Sequence, residues 1–290
     1  MKKLFVPVSA STAAGLLNED LVAIFHHSSF TDIVVMDGAS SVADQAYIDV
    51  DGSDAAWFVG AFARSLADFI GEDRPQRDSV LAALDHVAAG FRSRMAGSEM
   101  PLHAYPIAAL TWVRVRPGGG GGATLELYFL GDCKTLLRHA DGRVEDLDAW
   151  VNPQEAILRD EIARLAGEGV HDPACRRARL LPMLRQRREY QNTCTAPASL
   201  CLEPRGQFDA RESTVHVAPG AALLVMTDGF YRLVDTYKCD SPASLMQQCI
   251  DDGVDAVMRK LRCFEAAGAS ANGVVKSQDD ASAVLCRFDV

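Results

Sequence analysis

The chain contains no Cys-x-x-Cys pair and no cysteine spacing of a zinc module, so its 8 cysteines, scattered from Cys133 to Cys286, read as free thiols rather than a disulfide framework. That usage fits a reducing cytoplasm. Nowhere do apolar residues run for the ~20 positions that crossing a bilayer requires. The opening Met1-Lys2-Lys3-Leu4-Phe5-Val6-Pro7-Val8 imitates a signal peptide, but Pro7 interrupts its apolar run, and a cytoplasmic protein is expected. Cations are in short supply: 29 Lys and Arg face 39 Asp and Glu, a formal charge of −10. A surface so acidic excludes broad binding to nucleic acid or anionic membrane, both of which require clustered cations. Gly-x-Ser-x-Gly is absent, which excludes a hydrolase elbow around Ser40 or Ser41. The glycine run Gly118 to Gly122 is not followed by Lys-Ser/Thr and leads into a strand, so it reads as a hairpin tip and not a phosphate cradle. With no internal repeat and no clean linker, the chain is expected to be one domain over residues 1–290.

What is present is an alternation of strand and helix patterns. Short β-branched runs at Leu4 to Val8, Leu21 to His26 and Ile33 to Met36 predict strands. From Asp54 the apolar residues Trp57, Phe58, Ala61, Phe62, Leu66, Phe69 and Ile70 recur at helical spacing, with Ser53 or Asp54 as cap and Trp57, Phe58 and Phe62 as core. A second helix is predicted over Ser79 to Met95. Strands follow at Ala108 to Arg116, Thr124 to Leu130 and Lys134 to His139, the last running into an Asp141-Gly142 turn. Gln154 to Ala166 is helical, and Gly167 to Gly206 is polar and irregular. The remainder reads as strands at Glu212 to Val217, Ala222 to Met226 and Ala283 to Phe288, with helices at Ser241 to Ile250 and Val254 to Ala267.

Two groups of basic residues have competing readings. Arg176, Arg177, Arg179, Arg185, Arg187 and Arg188 suit bidentate phosphate recognition, but a solvated helix face is the stronger expectation. His26 and His27, adjacent on a strand, point to opposite faces and cannot share a metal ion; one is expected buried and one exposed.

The carboxylates carry the informative pattern, because acids sit at strand ends. Asn18-Glu19-Asp20 leads into a strand, Asp37-Gly38 and Gly131-Asp132 each end one, Asp228-Gly229 follows Leu223 to Thr227, and Asp279-Asp280 precedes the last strand. Any one of these is an ordinary turn. Were the ends to converge, the acids would repel one another into protonation unless cations were bound. Oxygen donors without His or Cys select Mg²⁺ or Mn²⁺ over zinc.

The order of the motifs resembles the metal-dependent protein phosphatase 2C family. The likeness rests on Val35-Met36-Asp37-Gly38, Phe129-Leu130-Gly131-Asp132-Cys133-Lys134-Thr135-Leu136-Leu137, Leu224-Val225-Met226-Thr227-Asp228-Gly229-Phe230 and Ser277-Gln278-Asp279-Asp280-Ala281-Ser282-Ala283-Val284. It implies an α+β fold, a four-layer α/β/β/α sandwich of two antiparallel sheets flanked by helices. It also implies a phosphoserine/phosphothreonine phosphatase with two Mn²⁺ or Mg²⁺ ions and a weaker third, acting on phosphorylated protein or peptide. By the same resemblance Asp37 bridges two metals with the Gly38 carbonyl beside one, and Asp228 and Asp279 hold the first. Glu19 supports the second through water with Asp20 behind it, and Asp132 matches the third site. Asp37 and Asp228 are the residues on which catalysis would turn. Gly15 stands where the family often has a phosphate-clamping Arg, and Ala39 where many members have a His. A binding or regulatory module that keeps the fold without turnover therefore stays open, as does a hydrolase of a small phosphorylated metabolite.

Overall fold

The computed structural model describes residues 7–71, 74–267 and 278–288. In chain order the elements are β1 (Val8–Thr12), β2 (Asp20–His26), β3 (Thr31–Gly38), α1 (Asp54–Phe69), α2 (Gln76–Arg94), β4 (Ile107–Pro117), β5 (Ala123–Leu130), β6 (Lys134–Arg138) and β7 (Val144–Asp146). There follow α3 (Pro153–Gly167), α4 (Pro173–Thr193), β8 (Leu200–Cys201), β9 (Arg211–Val217), β10 (Ala222–Met226), α5 (Asp228–Asp235), α6 (Pro242–Asp251), α7 (Val254–Ala266) and β11 (Ala281–Arg287).

The strands form two antiparallel sheets, one ordered β1-β11-β10-β6-β7 and the other β2-β3-β4-β5-β9, with the short β8 paired to β4. Both sheets are buried on two faces, and the period-2 alternation of side chains divides each strand between two apolar layers. On β3, Ile33 and Val35 point into the layer between the sheets, while Val34 and Met36 point to the layer under α1 and α2. On β10, Leu223 and Val225 meet the same central layer, and Leu224 and Met226 pack under α5, α6 and α7. Three stacked apolar layers between four layers of secondary structure make the α/β/β/α sandwich that the resemblance implied.

Local signals explain the helix boundaries. Ser53 caps α1 by accepting from the Ala56 amide, and Asp54 turns inward to accept from the amides of Tyr47, Ile48 and Asp49 at 2.8–2.9 Å. Phe58 and Phe62 lie wholly in the core, with Trp57 packed against it. The glycine run is a hairpin tip, since Pro117 of β4 and Ala123 of β5 are paired across it.

The structure departs from the sequence expectations at four places. The segment from Gly167 to Gly206, expected irregular, contains the 21-residue helix α4. Its helical start is an Asp172 cap followed by Pro173, but its interior is so polar that apolar periodicity does not reveal it. The first strand is Val8–Thr12 rather than Leu4 to Val8, because these residues pair with Ala281 to Leu285 of β11; residues 4 to 6 lie outside the described residues, as does Ser277. Thr227 to Asp235 turns directly from strand into helix α5, where sequence showed only an Asp-Gly junction. His26 and His27 are both exposed, because β2 ends at His26 and His27 has already left the sheet to stack on Phe30, with ring centroids 4.2 Å apart.

Candidate active site

Antiparallel pairing sends β2 in and β3 out at the same end of the sandwich, and β10 out and β11 in at that end on the other sheet. Asp20 and Asp37 are register partners, so their side chains project to the same face. By strand parity this is the central face of Ile33 and Val35, and the hydrophobic layer therefore finishes in two acids. Asp228, in the first turn of α5, and Asp279, just before β11, arrive from the facing sheet. Together with Gly38 and Asp132, Asp37, Asp228 and Asp279 line one cavity of about 200 Å³. Glu19 and Asp20 are not part of that lining.

Three glycines permit this convergence. The backbone of Gly38 donates to the Glu19 carbonyl at 3.0 Å, and a Cβ there would meet that carbonyl oxygen at 2.7 Å. Gly131 holds φ at 81°, with Ala109 where a side chain would start, and so turns Asp132 back over the cavity. At Gly229 a side chain would collide with the Asp280 carbonyl, so only glycine lets the two halves of the site close on each other.

The remaining acids are held by named partners. Asp280 accepts from the amides of Ala14 (2.7 Å) and Glu19 (2.6 Å), tying the loop between β1 and β2 to the entry of β11. Glu19 accepts from the hydroxyls of Ser40 and Ser53. Thr227 leaves the end of α5 uncapped, and its hydroxyl instead donates to Asp20 at 2.8 Å. The other Asp20 oxygen, Oδ1, is buried with no hydrogen-bond partner. Asn152 caps α3 with its carbonyl and donates to Asp132 with its amide at 3.2 Å.

Electrostatics at this end are strained by burial. Burial first, then the neighbouring Asp228 and Asp20, push the Asp37 carboxyl well above the carboxylate range, and Asp37 is hydrogen-bonded to Asp228. Asp228 is pushed up to about 8 by burial and by Asp132 and Asp279. Asp20 rises to about 7, again mainly through burial. Cys133, buried beside them, is held as a neutral thiol. Among the described residues no three His, Cys, Asp or Glu side chains stand at ligating distance of one point; Asp37 and Asp228 lie within hydrogen-bonding reach of each other instead. The donor set still fits hard divalent cations: it is all oxygen and half-buried, and the buried Asp20 behind it keeps an orphan Oδ1.

A linkage prediction follows for the metal-free protein. Because the folded pKa values of Asp20 and Asp228 lie above those of unfolded aspartate, their contribution is fully present below about pH 4 and is lost as pH rises towards 7 and 8. Melting in EDTA should show stability falling by a few kcal/mol, order of magnitude, between about pH 4 and 8. Mn²⁺ should restore most at the alkaline end. A flat profile in EDTA would mean that the acids do not bury their charge as described.

The helix α4, unread in the sequence, forms the cavity's other wall. Leu184, Arg187, Arg188 and Gln191 line the cavity at helical spacing, and the two arginines are the only cations among its described lining residues. Arg177, Arg185 and Arg188 grip the segment that follows Asp37-Gly38, donating to the carbonyls of Ser41, Val42 and Ser40 at 3.4, 2.8 and 3.3 Å. Arg188 is buried, which lowers its pKa to about 10. Arg187 Nε is buried without a hydrogen-bond partner, beside Asp132 and Glu155. The exposed helix face expected for the cluster therefore holds for Arg177 and Arg179, while Arg187 and Arg188 belong to the cavity. Gly15 is exposed and outside the lining.

The sequence pattern of the protein phosphatase 2C family matches residues 9–264. The chain belongs to the protein phosphatase 2C family. No curated protein matches it by sequence. Solved structures share the fold at low identity. The S. agalactiae serine/threonine phosphatase has 11% identity and a TM-score of 0.57, with 98% of this chain and 100% of that one covered. PppA, a regulatory component of the type VI secretion system in Pseudomonas aeruginosa, has 16% identity and a TM-score of 0.53, with 98% of each chain covered. A Toxoplasma gondii phosphatase has 12% identity and a TM-score of 0.55, with 98% and 93% covered. Within this protein phosphatase 2C fold, sequence motifs point to Asp37, Gly38, Asp132, Asp228 and Asp279; the sequence marks Arg187 and Arg188 only within a six-arginine cluster whose stronger expectation is a solvated face, and gives Asn152 and Thr227 no role. Asn152 before Pro153 and Thr227 before Asp228 both carry a local signal as helix-capping residue types.

Proposed function

We propose that this protein phosphatase 2C member is a cytoplasmic phosphoprotein phosphatase that removes phosphate from serine and threonine, using Mn²⁺ or Mg²⁺ held at the floor of the carboxylate cavity. The observation that carries this reading is the facing of Asp37, Asp132, Asp228 and Asp279 by Arg187 and Arg188 across one cavity. A phosphate monoester is a dianion, so a site for it needs acids to collect cations and separate cations to receive the phosphoryl oxygens.

In this reading Asp37 and Asp228 hold the cations, aided by Asp279 and the Gly38 carbonyl. Glu19, with Asp20 behind it, and Asp132 would support the bound cations. When bound, the cations supply the charge that lowers the pKa of a water and offsets charge on the phosphoryl oxygens. The rest falls to the chain. Arg187, which lines the cavity and whose Nε has no hydrogen-bond partner, receives the phosphoryl group, while Arg188 clamps the Ser40 carbonyl and keeps the loop after Asp37 in place. Asn152 orients Asp132, and Ser40 and Ser53 hold the Glu19 carboxylate. Cys133, the thiol nearest these acids, is buried, held neutral and outside the cavity lining, so it is not the nucleophile in this reading. A cytoplasmic setting accords with eight free cysteines. Among the described residues, no helix is long and apolar enough to cross a membrane.

The second reading is a phosphopeptide-binding module without turnover, which the Asp37–Asp228 hydrogen bond and Gly15 favour. Hydrolysis of p-nitrophenyl phosphate in Mn²⁺, Mg²⁺ or EDTA separates the two. Turnover that needs metal supports the phosphatase. Folded protein that binds Mn²⁺ and a phosphopeptide but never turns over supports the module.

A further inference from the structure

Beside the cavity lies a second depression, about 340 Å³, between α3 and α4. Its apolar wall is Ile157 and Leu158 from α3 with Met183, Leu184 and Tyr190 from α4; with Gln154, Gln186 and Arg187 the lining recurs at three and four residues along each helix (154, 157, 158 and 183, 186, 187, 190). Leu158, Met183 and Leu184 also pack against the cluster of Ile162, Leu165 and Leu180 that joins the two helices, whereas Ile157 and Tyr190 take no part in that packing. Ile157 is instead 50% exposed and Tyr190 66%. Large apolar groups gathered at a depression in water mark a binding surface.

We propose that this groove seats a large apolar side chain of the phosphoprotein substrate, a few residues from the phosphorylated one. The inference rests on the phosphatase reading and adds a sequence preference to it. The occupant is indicated by continuity: Leu184 and Arg187 line both the groove and the carboxylate cavity. A substrate whose phosphoryl group reaches Arg187 must lay its main chain over that shared rim. At about 3.3 Å per extended residue, neighbouring side chains fall over the groove. Charge agrees with this. The other groove residues, Gln154 and Gln186, are neutral, and the single cation, Arg187, faces the phosphate side. Leu, Met or Phe near the phosphoresidue is therefore favoured, and Asp or Lys gains nothing in the apolar wall.

The test uses fluorescent phosphoserine peptides on the full chain with Mn²⁺. Leu, Ala, Asp and Lys are placed in turn at each flanking position, and binding is read by anisotropy with turnover in parallel. At one position or more, Leu should tighten Kd about 10-fold over Ala, the effect of burying one such side chain. In Ile157→Asp and Met183→Asp that ratio should fall to about 1. Taking the ratio within each protein cancels any loss of folded material. Equal Kd values at every position, or a preference that survives both substitutions, overturns the proposal. So does a dimer in sedimentation that Ile157→Asp dissociates, since the face would then belong to a second copy. Because binding needs no turnover, the two readings fail separately. Selective binding without hydrolysis sinks the phosphatase and keeps the groove, while hydrolysis without selectivity does the reverse.

Discussion

Asp37→Asn and Asp228→Asn should each lower metal-dependent hydrolysis of p-nitrophenyl phosphate by about 1,000-fold or more, while raising the melting temperature of the metal-free protein near pH 8. The two signs have one cause. These carboxyls lie against each other in a buried end of the sandwich, where each negative charge is disfavoured by burial and by the other acids. An amide of the same shape relieves that repulsion, so the fold gains. It also removes a charged oxygen that a divalent cation requires, so the chemistry loses the electrostatic contribution, commonly the largest in such sites. A residue that merely supported the structure would lose activity and stability together. Steady-state rates in Mn²⁺ and thermal melts in EDTA on the same preparations check both halves. Activity within about 10-fold of the parent in both variants would remove these residues from the reaction.

Arg187→Ala should raise the inhibition constant of inorganic phosphate, and KM for phosphopeptide, by roughly 10- to 100-fold with little loss of fold. The unpartnered Nε leaves Arg187 with no internal hydrogen bond there to lose. Arg187→Lys should recover only part of the affinity, because an ammonium keeps the charge but not the planar fork. Arg188→Ala should behave differently. Its guanidinium is buried and donates to the Ser40 carbonyl, so its loss should lower kcat and melting temperature as well. Competitive inhibition by phosphate across the three variants, with melts alongside, separates capture of substrate from support of the Asp37 loop. Unchanged phosphate inhibition in Arg187→Ala would place the phosphate contact elsewhere.

The parts of the site that were legible in the sequence are those carried by strand ends. Ile33 to Met36 alternates between two buried faces and stops at Asp37-Gly38, and Leu224 to Thr227 stops at Asp228-Gly229, so the acid and the end of its strand are neighbours in the chain. The helix α1 was equally plain, because Phe58, Phe62 and Leu66 repeat at its period. What was not legible is α4. Its mostly polar face hides its periodicity, and its value to the site comes from contacts made by Arg177, Arg185 and Arg188 with residues more than a hundred positions away.

The amino-acid sequence alone determined most of the strands, the helices α1, α2, α3, α6 and α7, and the acids at the strand ends, since hydrophobic period and turn chemistry are properties of adjacent residues. The pairing of the strands into two stacked sheets was implied only by the family resemblance. Tertiary structure alone decided that Asp37 and Asp228 lie against each other and that Asp20 is left with an orphan oxygen. It alone decided as well that two of six clustered arginines face those acids. These follow from burial and from distance through space, which depend on how the two sheets close over one another and on where α4 comes to rest.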